Sequence, residues 1–361
     1  MQDERPMSDS TPFFTVIVAG YQCAPFLETT LASIAQQTLG DFEAICYVEE
    51  STDDSLEVCR RATAGDPRFS IVTAPKTGSA SCARNYAIDH ANGKYLVVVD
   101  GDDWIADDLL ETLRATIEQV GELDMISFSA VQTETDKVDW QSPDRISNFT
   151  AAEANKTISG CEAIRLASHY HPYFNSHVCL NAYRLAFLRE NHLRMTPGLR
   201  MEDYECVPRI FFFTKQMEYI DRPLYVYRRH PGSVTTGGSD KTFFDTFQQL
   251  NALIRFALSQ EVPADIRAIW SNQWLSFLQW LLFHPKTSRR RTDQDRRKAI
   301  ALLMANGNAA NFRKLAKSAS RPKRIAARLI LLAARGWLTP AKLFFRFLYY
   351  PLAESPRRLN P

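Results

Sequence analysis

The stretch VVVDGDDW (97–104) runs three valines straight into Asp100, Asp102 and Asp103, grouped around Gly101. Three carboxylates this close repel one another, and all three cannot be buried and ionised without a cation nearby. A hard divalent metal, Mg²⁺ or Mn²⁺, meets that requirement, because it takes oxygen ligands and keeps positions open for phosphate oxygens. Gly101 allows the tight turn that aims alternate carboxylates at one point. The competing reading is an exposed acidic turn that caps a helix starting at Ala106. A second acidic pair follows about 100 residues later, in MEDYECVPRIFF (201–212). Pro208 is tolerated in a helix's first turn, which predicts a helix from about 206 with Glu202 and Asp203 on the loop leading into it. Acids also favour a helix N-terminus without any further role. A third group, YVYRRHPGSVTT (225–236), offers His230 and Arg228, whose fork of donors suits phosphate oxygens. The three His of HYHPYFNSH (169–177) fit no standard zinc spacing and read as loop or acceptor-side residues.

The elements that must position these groups lie in the first half of the chain. FFTVIV (13–18), FEAICYV (42–48), FSIVTA (69–74), KYLVVVD (94–100) and DMISFSA (124–130) are apolar runs of strand length. Between them, residues 24–37, 52–64, 79–91 and 106–120 have helical spacing. Strands alternating with helices imply an α/β fold with a mostly parallel sheet covered on both faces. In such sheets ligands sit at the carboxyl ends of the strands, which is where Asp100 to Asp103 fall. Residues 131–158 are polar and irregular, as in a hairpin or excursion. PLYVYRRH (223–230) reads as the last strand, and only helix-like stretches follow from about 240.

Taken together, FFTVIVAGYQCAPFLETTLASIAQQTLGDFEAICYVEESTDDS and KTGSASCARNYAIDHANGKYLVVVDGDDW resemble the family 2 glycosyltransferases of the GT-A fold. The similarity is continuous from about residue 13 to 115. It implies a Rossmann-like mixed, mostly parallel sheet with helices on both faces. It also implies inverting sugar transfer from a nucleotide-diphosphate donor. By the same resemblance Asp100 meets the ribose or sugar, beside Gly101. Asp102, with Asp103, holds the metal on the donor's diphosphate, and Asp203 of the Glu202-Asp203 pair is the catalytic base. Such a base takes the acceptor hydroxyl's proton during in-line attack. Arg84 reaches towards the nucleotide; the alternative is a helix-surface arginine paired with a carboxylate. Arg228 and His230 contact the diphosphate or complete the metal shell. The chain departs from the family pattern at three places. The loop after the first strand, usually Pro, a hydrophobic residue, Tyr and Asn, is Ala19-Gly20-Tyr21-Gln22. The turn Glu49-Glu50-Ser51-Thr52 lacks the usual Gly. One of its two Glu, by preference Glu49, accepts the base N–H; the alternative is a solvated turn capping the helix from Asp53. Lys76 replaces a frequent Asn.

The chain has 361 residues, 45% of them hydrophobic, enough for one large domain and an appendage. Seven scattered Cys without a CxxC pair fit reduced thiols in a cytosol. Residues 1–12 read as a disordered tail with no signal peptide, 13–235 as the GT-A domain, and 236–361 as an all-helical extension. The net charge of +2 conceals an asymmetry: residues 285–361 hold 19 Lys and Arg against 3 Asp and Glu. No nucleic-acid-binding motif accompanies that charge, and a plain helical packing extension explains the apolar residues but not the charge. An anionic membrane surface accounts for it together with Trp337, Phe344, Phe345, Phe347, Tyr349 and Tyr350. Arg328, Arg335, Lys342 and Arg346 interrupt any span, so the region should lie on a membrane rather than cross it. The sequence therefore predicts a cytoplasmic enzyme, peripheral on the inner face of the cell membrane. Its expected donor is a UDP-sugar, and its acceptor a glycan or lipid-linked hydroxyl. Two rivals are a nucleotidyltransferase, which would carry a Gly-rich basic signature that AGYQCAPF lacks, and a non-catalytic scaffold of the same fold.

Overall fold

Continuous apolar runs become strands buried on both faces, as the absence of polar alternation requires. The computed structural model describes residues 2–3, 11–142, 144–170, 176–233, 239–284 and 291–345. Its strands are β1 (Gln2–Asp3), β2 (Phe14–Gly20), β3 (Phe42–Glu49), β4 (Phe69–Ala74), β5 (Tyr95–Asp100), β6 (Trp104–Ile105), β7 (Met125–Thr133), β8 (Arg145–Ile146), β9 (Asn181–Arg184) and β10 (Met217–Arg228). They form one sheet in the order β1-β4-β3-β2-β5-β9-β7-β10-β6, with β8 paired to β7. β4, β3, β2 and β5 are mutually parallel, as are β7 and β10. β9 runs antiparallel between β5 and β7. This is the mixed, mostly parallel sheet expected of a GT-A fold.

The chain winds outward through β2, β3 and β4, then returns to place β5 on the other side of β2. That reversal makes the carboxyl ends of β2 and β5 the switch point where such sheets bind ligands. Ala19 stands opposite Asp100 there. The crossovers are α1 (Ala24–Ala35), α2 (Ser55–Thr63) and α3 (Ser81–His90); α4 (Leu109–Val120) leads to β7. Further on come α5 (Gly160–Tyr170), α6 (Leu185–Glu190) and α7 (Asp203–Phe213).

Three elements differ from the sequence expectation. β9 is only four residues long, and no apolar run announces it. The last strand starts at Met217 rather than 223, because an irregularity around Asp221–Leu224 accommodates Pro223, which has no N–H for a ladder. The helix expected from about 206 starts at Asp203. The Glu205 and Cys206 N–H groups both donate to the Glu202 carbonyl, so the first turn forms ahead of Pro208, which lies inside the helix.

The described residues divide into two compact units, one up to Thr242 and one from Phe243 onward. The second unit is helical: α8 (Asp240–Ser259) leads into it, followed by α9 (Ala264–Phe283), α10 (Asp293–Met304), α11 (Asn308–Ala316), α12 (Arg321–Ala334) and α13 (Leu338–Phe344). Its core holds Trp270 stacked on Trp274 and Phe283 stacked on Phe345. None of the helices among the described residues is long and apolar enough to cross a membrane. Of the stretches read from the sequence, residues 1, 4–10, 143, 171–175, 234–238, 285–290 and 346–361, including Phe347, Tyr349 and Tyr350, lie outside the described residues.

In the first unit α5 meets α7 at a glycine. A Cβ on Gly160 would lie 1.8 Å from the Phe211 carbonyl oxygen. Gly160→Ala must therefore separate the two helices, and should destabilise the protein by about 3 kcal/mol. Urea unfolding measures this; an unchanged midpoint would show that the contact is slack.

Candidate active site

The four residues after β5 split by direction. Gly101 donates its N–H to the Ala19 carbonyl at 3.1 Å. A Cβ there would come within 2.9 Å of that oxygen and of Cys23 Sγ, so β5 can leave the sheet against β2 only through a glycine. Thr30 Oγ1 donates to the Asp103 carbonyl at 2.6 Å and fixes the far side of the turn. Asp103 then points inward and is 1% exposed. Its Oδ2 accepts from Tyr225 Oη at 2.7 Å, and its Oδ1 from the Arg228 N–H at 2.8 Å. Burial, then the charges of Asp102 and Asp100, hold its pKa well above the usual carboxylate range. Asp103, expected as a second metal ligand, is instead a buried strut between this turn and β10. Tyr225 completes the link by accepting the Asp100 N–H at 3.1 Å.

Asp102 points the other way. Its Oδ2 lies 2.9 Å from His230 Nε2, so the chain brings together the two groups expected to share a metal shell. Burial raises the Asp102 pKa and Asp100 adds to the effect, while His230 opposes it. Among the described residues no group of three or more His, Cys, Asp or Glu forms a complete metal cage. Arg228 lies between the rings of Phe26 and Trp104, at 4.9 and 4.6 Å. Its Nε donates to the Asp102 carbonyl at 2.9 Å and its Nη1 to Asp136 at 2.5 Å; the buried Nη2 has no acceptor among the described residues.

Arg84, on α3, joins the two acidic groups. Its Nη2 donates to Asp100 Oδ1 at 2.7 Å. Its Nη1 donates to Glu202 and, at 3.0 Å, to Asp203 Oδ1. The side chain is 5% exposed. Burial works against its charge, but the three carboxylates outweigh it and hold the guanidinium pKa well above normal. Arg84 is thus buried among three carboxylates rather than lying on the helix surface with one partner. Glu202 caps α7 from a turn in which Met201 has the left-handed φ of +57°. Burial pushes the Glu202 pKa up to about 7, with Arg84 opposing and Asp203 reinforcing. Burial also raises Asp203, against Arg84. The other Asp203 oxygen, Oδ2, accepts the Val178 N–H at 3.2 Å.

The remaining residues form a rim. The carboxylate of Glu49 is turned onto the next loop, where it accepts the Thr77 hydroxyl, the Thr77 N–H at 3.0 Å and the Gly78 N–H at 3.3 Å. That arrangement leaves Glu50, which is exposed, as the acid facing solvent. Lys76 Nζ donates to Tyr21 Oη and lies 4.6 Å over its ring. Asp53 ties the first loop down by accepting the Ala24 N–H at 3.0 Å and the Ser55 hydroxyl at 2.7 Å. Tyr225, Val178 and the hold of Asp53 on the first loop escaped the sequence reading. Each acts on a residue far away in the chain, and nothing in its local pattern announces the partner.

Residues 15–177 match the family model described as glycosyl transferase family 2. The chain is 28% identical over 226 residues to EpsJ of Bacillus subtilis (strain 168), an uncharacterized glycosyltransferase, covering 62% of this chain and 63% of that one. It thus spans just under two-thirds of the length of that curated relative. In fold it resembles S. aureus TarS 1–349 in complex with UDP-GlcNAc, with TM-score 0.72, 16% identity, and 92% and 91% of the two chains covered. A mannosyltransferase from Pyrobaculum calidifontis in complex with GDP-Man and Mn²⁺ matches at TM-score 0.50, 18% identity and 94% and 88% coverage.

Two outcomes follow from the Arg84 cluster. Arg84→Met leaves buried carboxylates without their cation and should cost about 3–5 kcal/mol of folding stability, measured by denaturant titration. The second is a pH dependence. The folded state holds the Glu202 proton more tightly than the unfolded chain does. Stability should therefore fall as pH rises from the ordinary glutamate value of 4.5 to about 7. Glu202→Gln should flatten that slope in melting curves taken across the window. A slope unchanged by the substitution would assign it to another group.

Proposed function

Residues 15–177 belong to glycosyltransferase family 2, and on that premise we propose that the chain is a metal-dependent inverting glycosyltransferase. It moves a sugar from a nucleotide-diphosphate donor, a UDP-sugar, to a hydroxyl of a glycan or lipid-linked acceptor in cell-surface polysaccharide synthesis. The observation that carries the reading is the convergence of two acidic groups, from β5 and α7, on the single buried cation of Arg84. One group faces a metal-binding partner, His230, and the other presents Asp203 on a helix N-terminus. A non-catalytic scaffold has no need to keep raised-pKa carboxylates in this arrangement.

Mn²⁺ or Mg²⁺ fits the Asp102–His230 pair, a carboxylate oxygen and an imidazole nitrogen already side by side. When bound, the ion neutralises charge on the departing diphosphate. The Arg228 Nη2, buried without an acceptor, is the donor left for a phosphate oxygen. Asp100 and Gly101 adjoin the ribose or sugar, and Ala19, Tyr21, Lys76 and Glu50 border the base. Asp203 takes the acceptor's proton. Arg84 favours its ionised form against burial, and the Val178 N–H holds the carboxylate in one orientation. Glu202 shares Arg84 and steadies the pair. TarS with UDP-GlcNAc and the mannosyltransferase with GDP-Man and Mn²⁺ support the donor class and the metal. The chain acts from the cytoplasm at the inner face of the cell membrane, with residues 285–361 towards anionic lipid.

Donor binding by calorimetry with Mn²⁺, followed by transfer assays, tests the roles. Asp203→Asn should reduce transfer by about 10²–10⁴-fold and leave UDP-sugar affinity nearly intact. Asp102→Asn should abolish the Mn²⁺ dependence of donor binding. Loss of donor binding in Asp203→Asn would reverse the assignment of the base.

A further inference from the structure

Helix α12 sorts its residues by face. Ala326, Ala327, Ile330 and Ala333 are buried. Arg321, Arg324, Ile325, Arg328 and Leu332, with Arg335 at the C-cap, are all exposed. At 3.6 residues per turn these six positions fall within an arc of roughly 100°. The stripe is therefore one coherent face, with cations and branched apolar side chains side by side. Ile325 is 45% and Leu332 41% exposed, and Trp337, just past the helix, is 62% exposed. Among the described residues the four arginines have no side-chain partner, whereas the cations Arg296 and Lys342 of the same unit both pair with Asp293.

We propose that this face of α12, with Trp337 at its end, lies flat on an anionic lipid bilayer. The proposal rests on the membrane placement given above and names the surface that performs it. Charge and shape select the occupant. A second copy meeting this face with its own would set arginines against arginines. Residues 346–361 carry Arg346, Arg357 and Arg358 against Glu354, so they share its sign. An acidic protein or a nucleic acid would satisfy the arginines and leave Ile325, Leu332 and Trp337 in water. A bilayer rich in acidic headgroups takes both kinds of group at once, the guanidinium groups at the phosphate level and the apolar side chains just beneath. At 14 residues with cations along its length, α12 cannot span, and lying in the interface is the geometry left to it.

The test is co-flotation of the full chain with vesicles of phosphatidylcholine alone and of phosphatidylcholine with about a third phosphatidylglycerol. The expected result is binding to the anionic vesicles only, weakening as salt is raised. Arg324→Glu with Arg328→Glu should weaken it more than about tenfold. Ile325→Ser with Leu332→Ser should weaken it while leaving the salt dependence unchanged. These side chains are exposed, and thermal melting followed by circular dichroism on the same samples reports whether the variants fold, while UDP binding by calorimetry reads the donor site separately. Equal binding to neutral vesicles would overturn the proposal. So would a charge-reversed variant that floats as well as the parent, or retention of nucleic acid or an acidic protein without lipid binding. Failure of the parent chain to bind UDP would count against the donor assignment alone, since flotation is read independently of it.

Discussion

One guanidinium holds the site together. Arg84 is buried, and a buried cation without partners would be expelled or would unfold its surroundings. Asp100, Glu202 and Asp203 supply the partners, and they come from β5 and from the start of α7. The dependence is mutual, because Arg84 opposes the effect of burial on both Glu202 and Asp203. The charges do not balance, however. Three carboxylates face one arginine, and burial, with mutual repulsion adding to it, raises the pKa values of Glu202 and Asp203.

The rest of the first unit keeps that cluster in register. The switch in strand order puts the ends of β2 and β5 side by side, and Gly101 lets them approach closely enough for the turn to form. The irregular β10 brings Tyr225 and the Arg228 backbone against Asp103. Asp103 therefore behaves as structure although it sits among functional carboxylates. Its hydrogen bonds hold Asp100 and Asp102 at the angle from which one meets Arg84 and the other meets His230.

The second unit follows different rules. Its core is built from stacked aromatic rings, while α12 exposes a basic and apolar stripe to solvent. Exposing branched and aromatic side chains beside unpaired arginines is unfavourable for a surface that meets only water. Four of the cations in residues 285–361 thus share one face of α12 with apolar side chains.

Much of this was legible in the residue order, and the unread part has a common cause. Buried parallel strands announce themselves as short apolar runs, so the five main strands and the helices between them could be read directly. The acidic turn and the Glu202-Asp203 pair were visible as residue types in a familiar pattern. Direction was not visible. Asp102 and Asp103 are adjacent and chemically identical, yet one faces His230 and the other Tyr225, because a side chain's neighbours come from strands more than 100 residues away. For the same reason nothing local shows that Arg84 and Glu49 hold partners within the protein. The sequence by itself determined which elements form and which charges stand at their ends, since those follow from local periodicity and composition. Only the tertiary structure decided which of those charges are neutralised internally and which are left for a ligand, because burial and pairing are set by residues distant in the chain.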